Sequence, residues 1–163
     1  MSSALDPSEF RQACGQWATG VSIVTTADDT GRPFGLTMNA VTSLSLDPPM
    51  LLVCVDGKSD TLGPMTQSRS FCVNVLSQAQ QELSNRFAKK GENKFEGVDY
   101  SSGGNGSPVL AGSLITFECA VREIFPGGDH QIFCGEVVAM HPAASEDVEP
   151  LLYFGGGYGR LAT

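Results

Sequence analysis

The sequence predicts a mainly β protein, a split β-barrel of antiparallel strands carrying two to three helices. Two observations indicate this class. About six strand-like apolar runs follow one another with little helix between them. Clusters of Gly, Pro and Asp separate these runs, as turns between consecutive strands require. The length of 163 residues and a hydrophobic content of 41% suit one compact domain, 1–163, with a core of its own.

The first element is predicted to be a helix at 7–17. Phe10, Ala13, Cys14 and Trp17 fall on one face at helical spacing, and this apolar face could supply contact area to a second subunit. Further on, Ser59 can cap a short helix at 60–67. The sequence SQAQ at 77–80 matches a capping box, which predicts a helix over 78–89.

The strands are predicted from apolar runs bounded by turn residues. In chain order these runs are 21–26, 34–46, 50–55, 70–76, 113–125 and 130–142. The prolines at 48 and 49 end the second strand, and the wholly apolar third run indicates a strand buried on both faces. Residues 90–107 are predicted to be loop, and 150–161 are too rich in glycine for regular structure throughout.

Charge and cysteine content exclude several classes of protein. A net charge of -8 argues against a nucleic-acid binder but allows a local basic site for one phosphorylated ligand. No apolar run approaches the roughly 20 residues that span a bilayer, and the first ten residues lack the features of a secretory signal. The five cysteines form no CxxC pair, so we expect free thiols in a reducing cytoplasm.

The stretch GLTMNAVTSLSLDPP at 35–49 alternates small polar and apolar residues. On one continuous strand, Thr37, Asn39, Ser43 and Ser45 would share a face, opposite a face containing Met38. Hydroxyls and an amide in a row can hydrogen-bond to a flat heteroaromatic ligand. The same pattern also fits a half-buried strand whose polar face meets water, and the spacing alone leaves both interpretations open.

Two clusters of positive charge are candidate anion sites. Lys58 and Ser59 follow a buried strand and precede a helix, where an ammonium, a hydroxyl and backbone amides suit a phosphate. Arg86, Lys89 and Lys90 end the long predicted helix. This second cluster also fits a solvated helix face with favourable charge at the C-terminus.

Other chemical motifs give weaker signals. His130 follows Gly-Gly-Asp at the tip of a predicted hairpin, whereas His141 precedes a proline and is expected at the surface. Two histidines with scattered cysteines predict no zinc site, and nothing local supports a nucleophilic pair of Cys54 with His130. The segment FGGGYGRL at 154–161 does not match the dinucleotide fingerprint, because it does not open a helix after a strand.

At this level of detail the chain resembles the short-chain flavin reductases, the reductase components of two-component flavin-dependent monooxygenases. The stretches that carry the resemblance are TGVSIVTT, GRPFGLTMNAVTSLSLDPPMLLVCV, RFAKKGENKFEGV, GDHQIFCGEVVAM and PLLYFGGGYGRL. The resemblance implies a split β-barrel, usually a homodimer, that binds FMN or FAD and oxidises NADH or NADPH. It also implies that diffusible reduced flavin serves a separate oxygenase, with micromolar rather than nanomolar flavin binding, near -8 kcal/mol.

The resemblance implies specific site residues as well. Those expected alongside the flavin ring are Thr37, Met38, Asn39, Ala40, Thr42 and Ser43. Those expected towards the ribityl phosphate or along a further flavin-contacting stretch are Cys54, Val55, Lys58, Ser59, Arg86, Phe87 and Ala88. Residues expected near the nicotinamide are His130 and Tyr158. Hydride transfer between two cofactors needs no acid or base from the protein, so His130 can act by positioning or as a proton donor.

One segment departs from the family pattern, and two other functions fit the same barrel. Family members commonly carry bulky or basic residues where this chain has Gly155, Gly156, Gly157 and Gly159. Backbone donors could replace those side chains. The alternatives are a non-catalytic FMN-binding or electron-relay module and an oxidase of the pyridoxamine-phosphate type. Oxidation of NADH that depends on added FMN would distinguish the reductase from both.

Overall fold

Antiparallel strands dominate the computed structural model, which describes residues 5–91, 93–145 and 147–162. The helices in these ranges are α1 (Pro7–Cys14), α2 (Leu62–Ser68) and α3 (Gln81–Phe87), with a 3-10 turn at Gln78–Gln80 before α3. The strands are β1 (Thr19–Gly20), β2 (Ser22–Ala27), β3 (Pro33–Met38), β4 (Val41–Leu46), β5 (Pro49–Asp56), β6 (Ser70–Val75), β7 (Tyr100–Ser102), β8 (Pro108–Leu110), β9 (Ile115–Gly127), β10 (His130–Pro142), β11 (Leu152–Phe154) and β12 (Gly157–Gly159). The predicted mainly β, antiparallel class is confirmed.

The main sheet has seven strands in the order β3-β2-β6-β9-β10-β5-β4. Its two edge strands, β3 and β4, are consecutive in the chain and are separated only by Asn39 and Ala40. A two-residue linker can span at most about 11 Å between Met38 and Val41, whereas the edges of a flat seven-stranded sheet would lie about 29 Å apart. The sheet must therefore curl until its edges meet, and the linker stands at the seam.

The strand predicted at 34–46 is wrong as a single element. At Met38 the chain pairs with β2, but from Ala40 onward it pairs with β5, and the Ala40 carbonyl accepts a hydrogen bond from the Cys54 amide at 3.1 Å. A bulge between Ser43 and Ser45 then shifts the register again. The four polar residues of this stretch consequently do not form one strand face, because the chain changes partner in the middle of it.

The strand β5 also differs from its prediction. Only Val53 and Val55 are buried, whereas Leu52 and Cys54 on the opposite face are partly exposed. The prediction that this strand is buried on both faces is therefore wrong for the single chain. Of the predicted helices, 7–17 ends early at Cys14 and 60–67 begins at Leu62, while the capping box from Ser77 to Gln80 is confirmed.

Two hydrophobic clusters hold the sheet and helices together. The larger one fills the curled sheet and includes Val24, Val53, Phe71 and Phe133, which are all fully buried. The smaller one packs α3 against the outside of β2 and includes Ile23, Leu76, Phe87, Leu110 and Leu151. Burying side chains of this size stabilises each by about 1.5–3 kcal/mol relative to exposure.

A lysine and a glycine fasten α3 to the edge strand β3. An added Cβ on Gly35 would lie 2.9 Å from Cε1 of Phe87, so a larger residue at 35 would push the ring away. The Lys94 ammonium donates to the carbonyls of Gly35 at 3.1 Å and Phe87 at 3.4 Å. The position of α3 relative to β3 is therefore fixed by side-chain packing and by one cation.

The predicted loop at 90–107 contains ordered structure of its own. The strand β7 lies within it and pairs with β8. The Asn105 amide donates to a carboxylate oxygen of the buried Glu118 at 2.9 Å, and Nε2 of His141 lies 2.7 Å from the other oxygen. His141 lies at the surface, as expected, with half of its side chain exposed, and it has a buried partner, Glu118, on β9.

The C-terminal segment is more regular than the sequence predicts. The strands β11 and β12 form a hairpin whose turn contains Gly155 and Gly156, with φ of +60° and +82°. Positive φ at both central residues is what a two-residue hairpin turn needs, and glycine adopts it without strain. The Gly155 amide donates to the Gly15 carbonyl at 2.7 Å, which ties this turn to the end of α1. Within the described ranges, no helix is long and apolar enough to cross a bilayer.

Candidate functional site

The linker Asn39–Ala40 lies at the centre of a group of cavities. Three of them, of about 410, 320 and 200 Å³, all have Asn39 in their walls, and we call them together the central groove. The first opens towards β5, the second towards β6 and β9, and the third towards β11 and β12. The groove exists because the linker lies between the two edge strands of the sheet and no side chain fills the space beside it.

Most of the predicted flavin-contacting residues line this groove. Those that do are Thr37, Met38, Asn39, Ala40, Thr42, Ser43, Cys54 and Ala88, and Tyr158, which was expected near the nicotinamide, lines it as well. They come from four parts of the chain: the β3–linker–β4 segment, one position in β5, the residue after α3, and the middle of β12. The fold thus assembles residues that are far apart in sequence around one linker.

Other predicted site residues lie outside the walls of the groove. Val55 and Phe87 are buried in the core, so their side chains contact protein rather than a ligand in the groove. The Arg86 guanidinium donates to the Glu96 carbonyl at 2.9 Å. Lys58 and Ser59 follow β5, where the Lys58 amide donates to the Asp56 carboxylate at 2.7 Å and the Ser59 hydroxyl accepts from the Thr61 amide.

His130 begins β10, and Lys58 lies two residues after the end of β5, at the same edge of the sheet. His130 is opposite Asp56 in the ladder, and its Nδ1 is 2.7 Å from a carboxylate oxygen of Asp129. The hydrogen bond from His130 lowers the pKa of Asp129, and the charge of Lys58 lowers it further. The structure therefore brings His130 and Lys58 close to each other, but neither residue lines the central groove.

Thr19 is a site residue that the sequence reasoning missed. Its side-chain oxygen is buried and has no hydrogen-bond partner, and the residue lines two of the three cavities of the groove. An unsatisfied buried hydroxyl costs about 1–3 kcal/mol and is rare in folded proteins. The only signal in the sequence was its place in the TGVSIVTT motif, because it lies in a strand of two residues.

Tyr158 forms one wall of the groove and is held firmly. Its hydroxyl lies 2.8 Å from the Ser84 hydroxyl and donates to the Asn85 side-chain oxygen at 3.1 Å. Its ring packs edge-on against Tyr153, with 5.6 Å between centroids. The Thr37 hydroxyl donates to the Ser84 carbonyl at 2.6 Å, so the same turn of α3 positions both groove residues.

Two further cavities have charged side chains in their walls, whereas the described residues of the central groove include none. The first, of about 530 Å³, lies between α1 and the turn at Gly155–Gly156; Arg11 lines it, and we call it the helix pocket. The second, of about 370 Å³, is lined by Arg32, Lys94 and Asp60, and we call it the Lys94 pocket. Burial lowers the pKa of Lys94 from its usual value, whereas the nearby Asp60 opposes that shift.

The thiols differ sharply in their surroundings. All five cysteines are free, as predicted. Burial raises the pKa of Cys54, which faces the groove, and Cys134 raises it further. Burial also raises the pKa of Cys119 to about 12. No group of three metal-binding side chains comes together in the part of the chain that the structure describes.

Comparison with known proteins gives this geometry a family. Residues 14–162 match the model of the flavin reductase like domain. The chain belongs to the flavin reductase-like family. The predicted family is thus confirmed over nearly the whole sequence.

Relatives within the flavin reductase-like family are similar along most of this chain. A flavin reductase of Pseudomonas putida is 39% identical over 98% of this chain and 93% of its own length. The structure of nitrilotriacetate monooxygenase component B from Mycobacterium thermoresistibile matches with a TM-score of 0.91 at 36% identity, covering 95% of this chain and 86% of the other. The NADH:FAD oxidoreductase SgcE6 of Streptomyces globisporus matches with a TM-score of 0.90 at 33% identity over 100% of this chain and 99% of its own.

Some relatives are longer than this chain. The stachydrine N-demethylase reductase subunit Stc3 of Rhizobium meliloti is 40% identical over 94% of this chain, but the match covers 65% of that protein. For another Rhizobium meliloti relative the matched share is 48% of its length. The chain thus spans about half to two thirds of these two relatives.

Proposed function

We propose that this protein is an NAD(P)H-dependent flavin reductase that transfers hydride from NADH or NADPH to FMN or FAD. The observation that carries the proposal is the central groove, in whose walls eight of the predicted flavin-contacting residues lie together with Tyr158. Relatives named FMN reductase (NADH) and NADH:FAD oxidoreductase support it. Reductase components of monooxygenases among the relatives support delivery of reduced flavin to a separate oxygenase.

The groove has the chemistry that a flavin ring needs. Such a ring presents two apolar faces and an edge of hydrogen-bonding groups. Met38, Val41 and Leu52 give the groove apolar walls, and the Thr42 hydroxyl and Asn39 amide provide polar groups. The unpartnered Thr19 hydroxyl lies in the same walls and can be satisfied by a ligand atom. These residues therefore fit the group that the family implies.

The protein contributes placement and electrostatics to the reaction. A flavin bound here supplies the acceptor for the hydride, so the side chains of the chain need only hold two rings in contact and exclude water. Asn39 and the linker amides can stabilise negative charge at the edge of a ring in the groove. Tyr158, fixed by its bonds to α3, limits where a second ring can lie.

His130 is proposed to act on the nicotinamide side, with Asp129 holding its imidazole. Steady-state rates of a His130→Ala variant distinguish two roles for it. A loss of about tenfold indicates positioning, and a loss of about 10³ or more indicates proton transfer. Asp129→Asn is the matched variant, because it keeps the size of the side chain that holds the ring but removes the charge.

Flavin is proposed to be a diffusible substrate rather than a permanently bound group. Isothermal titration of the purified protein with FMN and with FAD should give dissociation constants in the micromolar range, near -8 kcal/mol. Nanomolar binding would contradict delivery of free reduced flavin to an oxygenase. The free thiols are consistent with a cytoplasmic location, which we propose for the protein.

The activity itself has a direct test. Purified protein is mixed with NADH and excess FMN or FAD, and the NADH absorbance is followed with and without flavin. Rapid oxidation that requires flavin is the expected result. Its absence for both nucleotides and both flavins would overturn the proposal, and oxidation of a pyridoxal-type amine without NADH would assign the barrel to the oxidase class.

A further inference from the structure

Residues 93–113 form a segment that lies across the outer face of the main sheet, and we call it the strap. It follows α3 and precedes β9, and its strands β7 and β8 form a two-stranded sheet of their own. Pro108 and Leu110 are the two buried apolar residues of the strap, which the structure describes throughout. Apolar burial therefore contributes less to holding this segment than to holding the strands of the main sheet.

The buried surface beneath the strap is polar. Thr25 on β2, Asn74 on β6 and Glu118 on β9 are at most 2% exposed. They alternate along their strands with residues of the larger hydrophobic cluster, so they point to the opposite side of the sheet. The Leu110 amide donates to Oδ1 of Asn74 at 2.8 Å, and the Thr25 hydroxyl donates to the Pro108 carbonyl at 2.5 Å. Polar side chains of the sheet thus hold the backbone of the strap.

Glu118 joins the middle of the strap to the protein surface. The Asn105 amide donates to Oε2 of Glu118 at 2.9 Å, and a Cβ added at Gly103 would lie 2.7 Å from that same oxygen. The other oxygen lies 2.7 Å from Nε2 of His141, half of whose side chain is exposed. A buried carboxylate is costly unless its oxygens are bonded, so the closed strap and the ionised Glu118 stabilise each other.

Two hydroxyls of the strap oppose its closure. The side-chain oxygens of Ser107 and Ser113 are buried and have no hydrogen-bond partner within the protein. Such a hydroxyl loses its bonds to water when the strap closes and regains them when the strap opens. Segments with few buried apolar contacts are also those that open locally while the rest of a protein stays folded.

The first residues of the strap contact the elements that supply the groove. Lys94 donates to the carbonyls of Gly35 and Phe87, and the Phe95 ring packs edge-on against Phe87 with 4.8 Å between centroids. Lys94 and Phe95 also line the Lys94 pocket, together with the two residues that follow Ser59. Movement of the strap would therefore change both the support of the groove and the surroundings of a residue expected towards the ribityl phosphate.

We propose that the strap opens and closes as a unit, with Glu118 and His141 as its latch, and that flavin binding favours the closed state. The inference rests on the proposed function and extends it to how flavin enters and leaves. A closed strap fixes Lys94 against β3 and α3, whereas an open strap frees both elements beside the groove. The wild-type strap is closed most of the time, so a weaker latch lowers flavin affinity and a stronger one leaves it unchanged.

Amide hydrogen exchange, followed by mass spectrometry, tests the strap without catalysis. In flavin-free protein, peptides from the strap should exchange at least about tenfold faster than those from β2, β6 and β9. Saturating FMN or FAD should slow this exchange at least about threefold. The decisive peptide is 101–108, because it lines neither the groove nor the Lys94 pocket and cannot be protected by direct contact there. Exchange of 101–108 that is as slow as in β6, or that flavin does not change, would overturn the proposal.

A variant of the latch separates opening from simple contact. Glu118→Gln keeps the size of the side chain but replaces a charged acceptor by a neutral one. It should speed exchange of 101–108 about fivefold and raise the dissociation constants of FMN and FAD by a similar factor, through faster flavin release in stopped-flow experiments. His141→Asn, on the surface, should act in the same direction if Glu118→Gln does not fold.

The matched control removes the same charge from another ion pair. Glu136 pairs with Arg122 at 2.7 Å across β10 and β9, so Glu136→Gln lowers the negative charge equally without touching the strap. It should leave exchange of 101–108 and flavin release unchanged. Equal effects in the Glu118 and Glu136 variants would show a general charge effect and overturn the latch, as would unchanged exchange in a folded latch variant.

The outcomes also separate the strap from the proposed function. An active flavin reductase in which flavin leaves the exchange of 101–108 unchanged overturns the strap alone. A protein that binds flavin and protects 101–108, but oxidises neither NADH nor NADPH, overturns the proposed function alone. A protein that binds neither FMN nor FAD overturns both.

Discussion

Thr19 shows how a single atom can mark a ligand site. Its hydroxyl is buried in the wall of the central groove without a partner, and a Thr→Val change removes that hydroxyl at nearly constant shape. We expect Thr19→Val to leave the ligand-free protein as stable or up to about 1–3 kcal/mol more stable, because the unsatisfied group is gone. The flavin dissociation constant should rise about fivefold to tenfold, measured by isothermal titration.

The control for Thr19 is another threonine of the same kind. Thr116 is also buried with an unpartnered hydroxyl, but it does not line the groove. Thr116→Val should shift the urea midpoint in the same direction and leave flavin binding alone. A flavin affinity that falls equally in both variants would contradict a ligand contact at Thr19. So would a flavin affinity that is unchanged in both.

Most individual site residues could be predicted from the sequence, but their arrangement could not. The polar pattern around Asn39 left the interpretation open, whereas the family resemblance implied the site residues, and nine of these do line the groove. The predicted common strand face of Thr37, Asn39, Ser43 and Ser45 was wrong, since one strand ends at Met38 and a new one begins at Val41. Side chains on a strand alternate with a period of two, so a break of two residues leaves the alternating pattern unchanged. The pattern therefore cannot reveal such a break.

At the scale of elements, Lys94 joins β3 to α3, and the ends of both lie in the part of the groove that contains Tyr158. Replacing it with methionine removes both hydrogen bonds to the carbonyls of Gly35 and Phe87 but keeps a chain of similar length. We expect the free energy of unfolding to fall by about 1–3 kcal/mol, because those buried carbonyls lose charged donors. Flavin affinity should fall too, as α3 is then less firmly held against β3.

A nearby lysine provides the comparison for this element. Lys90 is exposed, so Lys90→Met should change the free energy of unfolding by no more than about 0.5 kcal/mol. Urea unfolding of both variants, with and without saturating FMN, measures the two effects together. If Lys94→Met unfolded at the wild-type urea concentration, the fastening role of Lys94 would be refuted.

Element boundaries were predictable where local chemistry sets them. The capping box at Ser77–Gln80 and the hairpin between β9 and β10 both follow from short-range signals. The burial of β5 was misjudged, because an apolar run does not reveal that one of its faces borders a groove. The C-terminal hairpin was missed for a related reason: its glycines permit a tight turn, but the same glycines also occur in irregular loops.

At the scale of the whole molecule, an exposed apolar patch supports the proposed homodimer. Leu46 on β4 is 94% exposed and lies in register with Pro49 on β5, and the exposed Val138 and Met140 follow Glu136, the last residue of β10 that pairs with β5. Sedimentation of the wild type should give twice the chain mass. Leu46→Glu should shift it towards the monomer, whereas Thr66→Glu on the surface of α2 should not.

The pH dependence of stability follows from two thiols in the core. Burial raises the pKa of Cys72 and of Cys119, the latter to about 12, from an ordinary value of 9.0. Above 9.0 the unfolded chain releases thiol protons that the folded chain retains, so unfolding becomes easier as pH rises. Stability is therefore fully present below 9.0 and is lost progressively between 9.0 and about 12.

Urea midpoints measured at several pH values across that interval test the sign. Each buried thiol should contribute a decline of about 1.4 kcal/mol per pH unit, and Cys72→Ala should make the decline shallower by that amount. The exposed Cys14 offers the control, since Cys14→Ala removes a thiol without burial. An identical slope in wild type and Cys72→Ala would contradict the argument.

The two-residue seam between β3 and β4 has a consequence for how such a protein can diversify. In a linker this short, the insertion or deletion of one residue shifts the register of an edge strand. Such a shift would turn every inward side chain of that strand outward. New ligand preferences should therefore arise by exchanging side chains around a backbone of constant length. A library that inserts residues after Asn39 should yield few folded members, while one that varies position 39 itself should yield many.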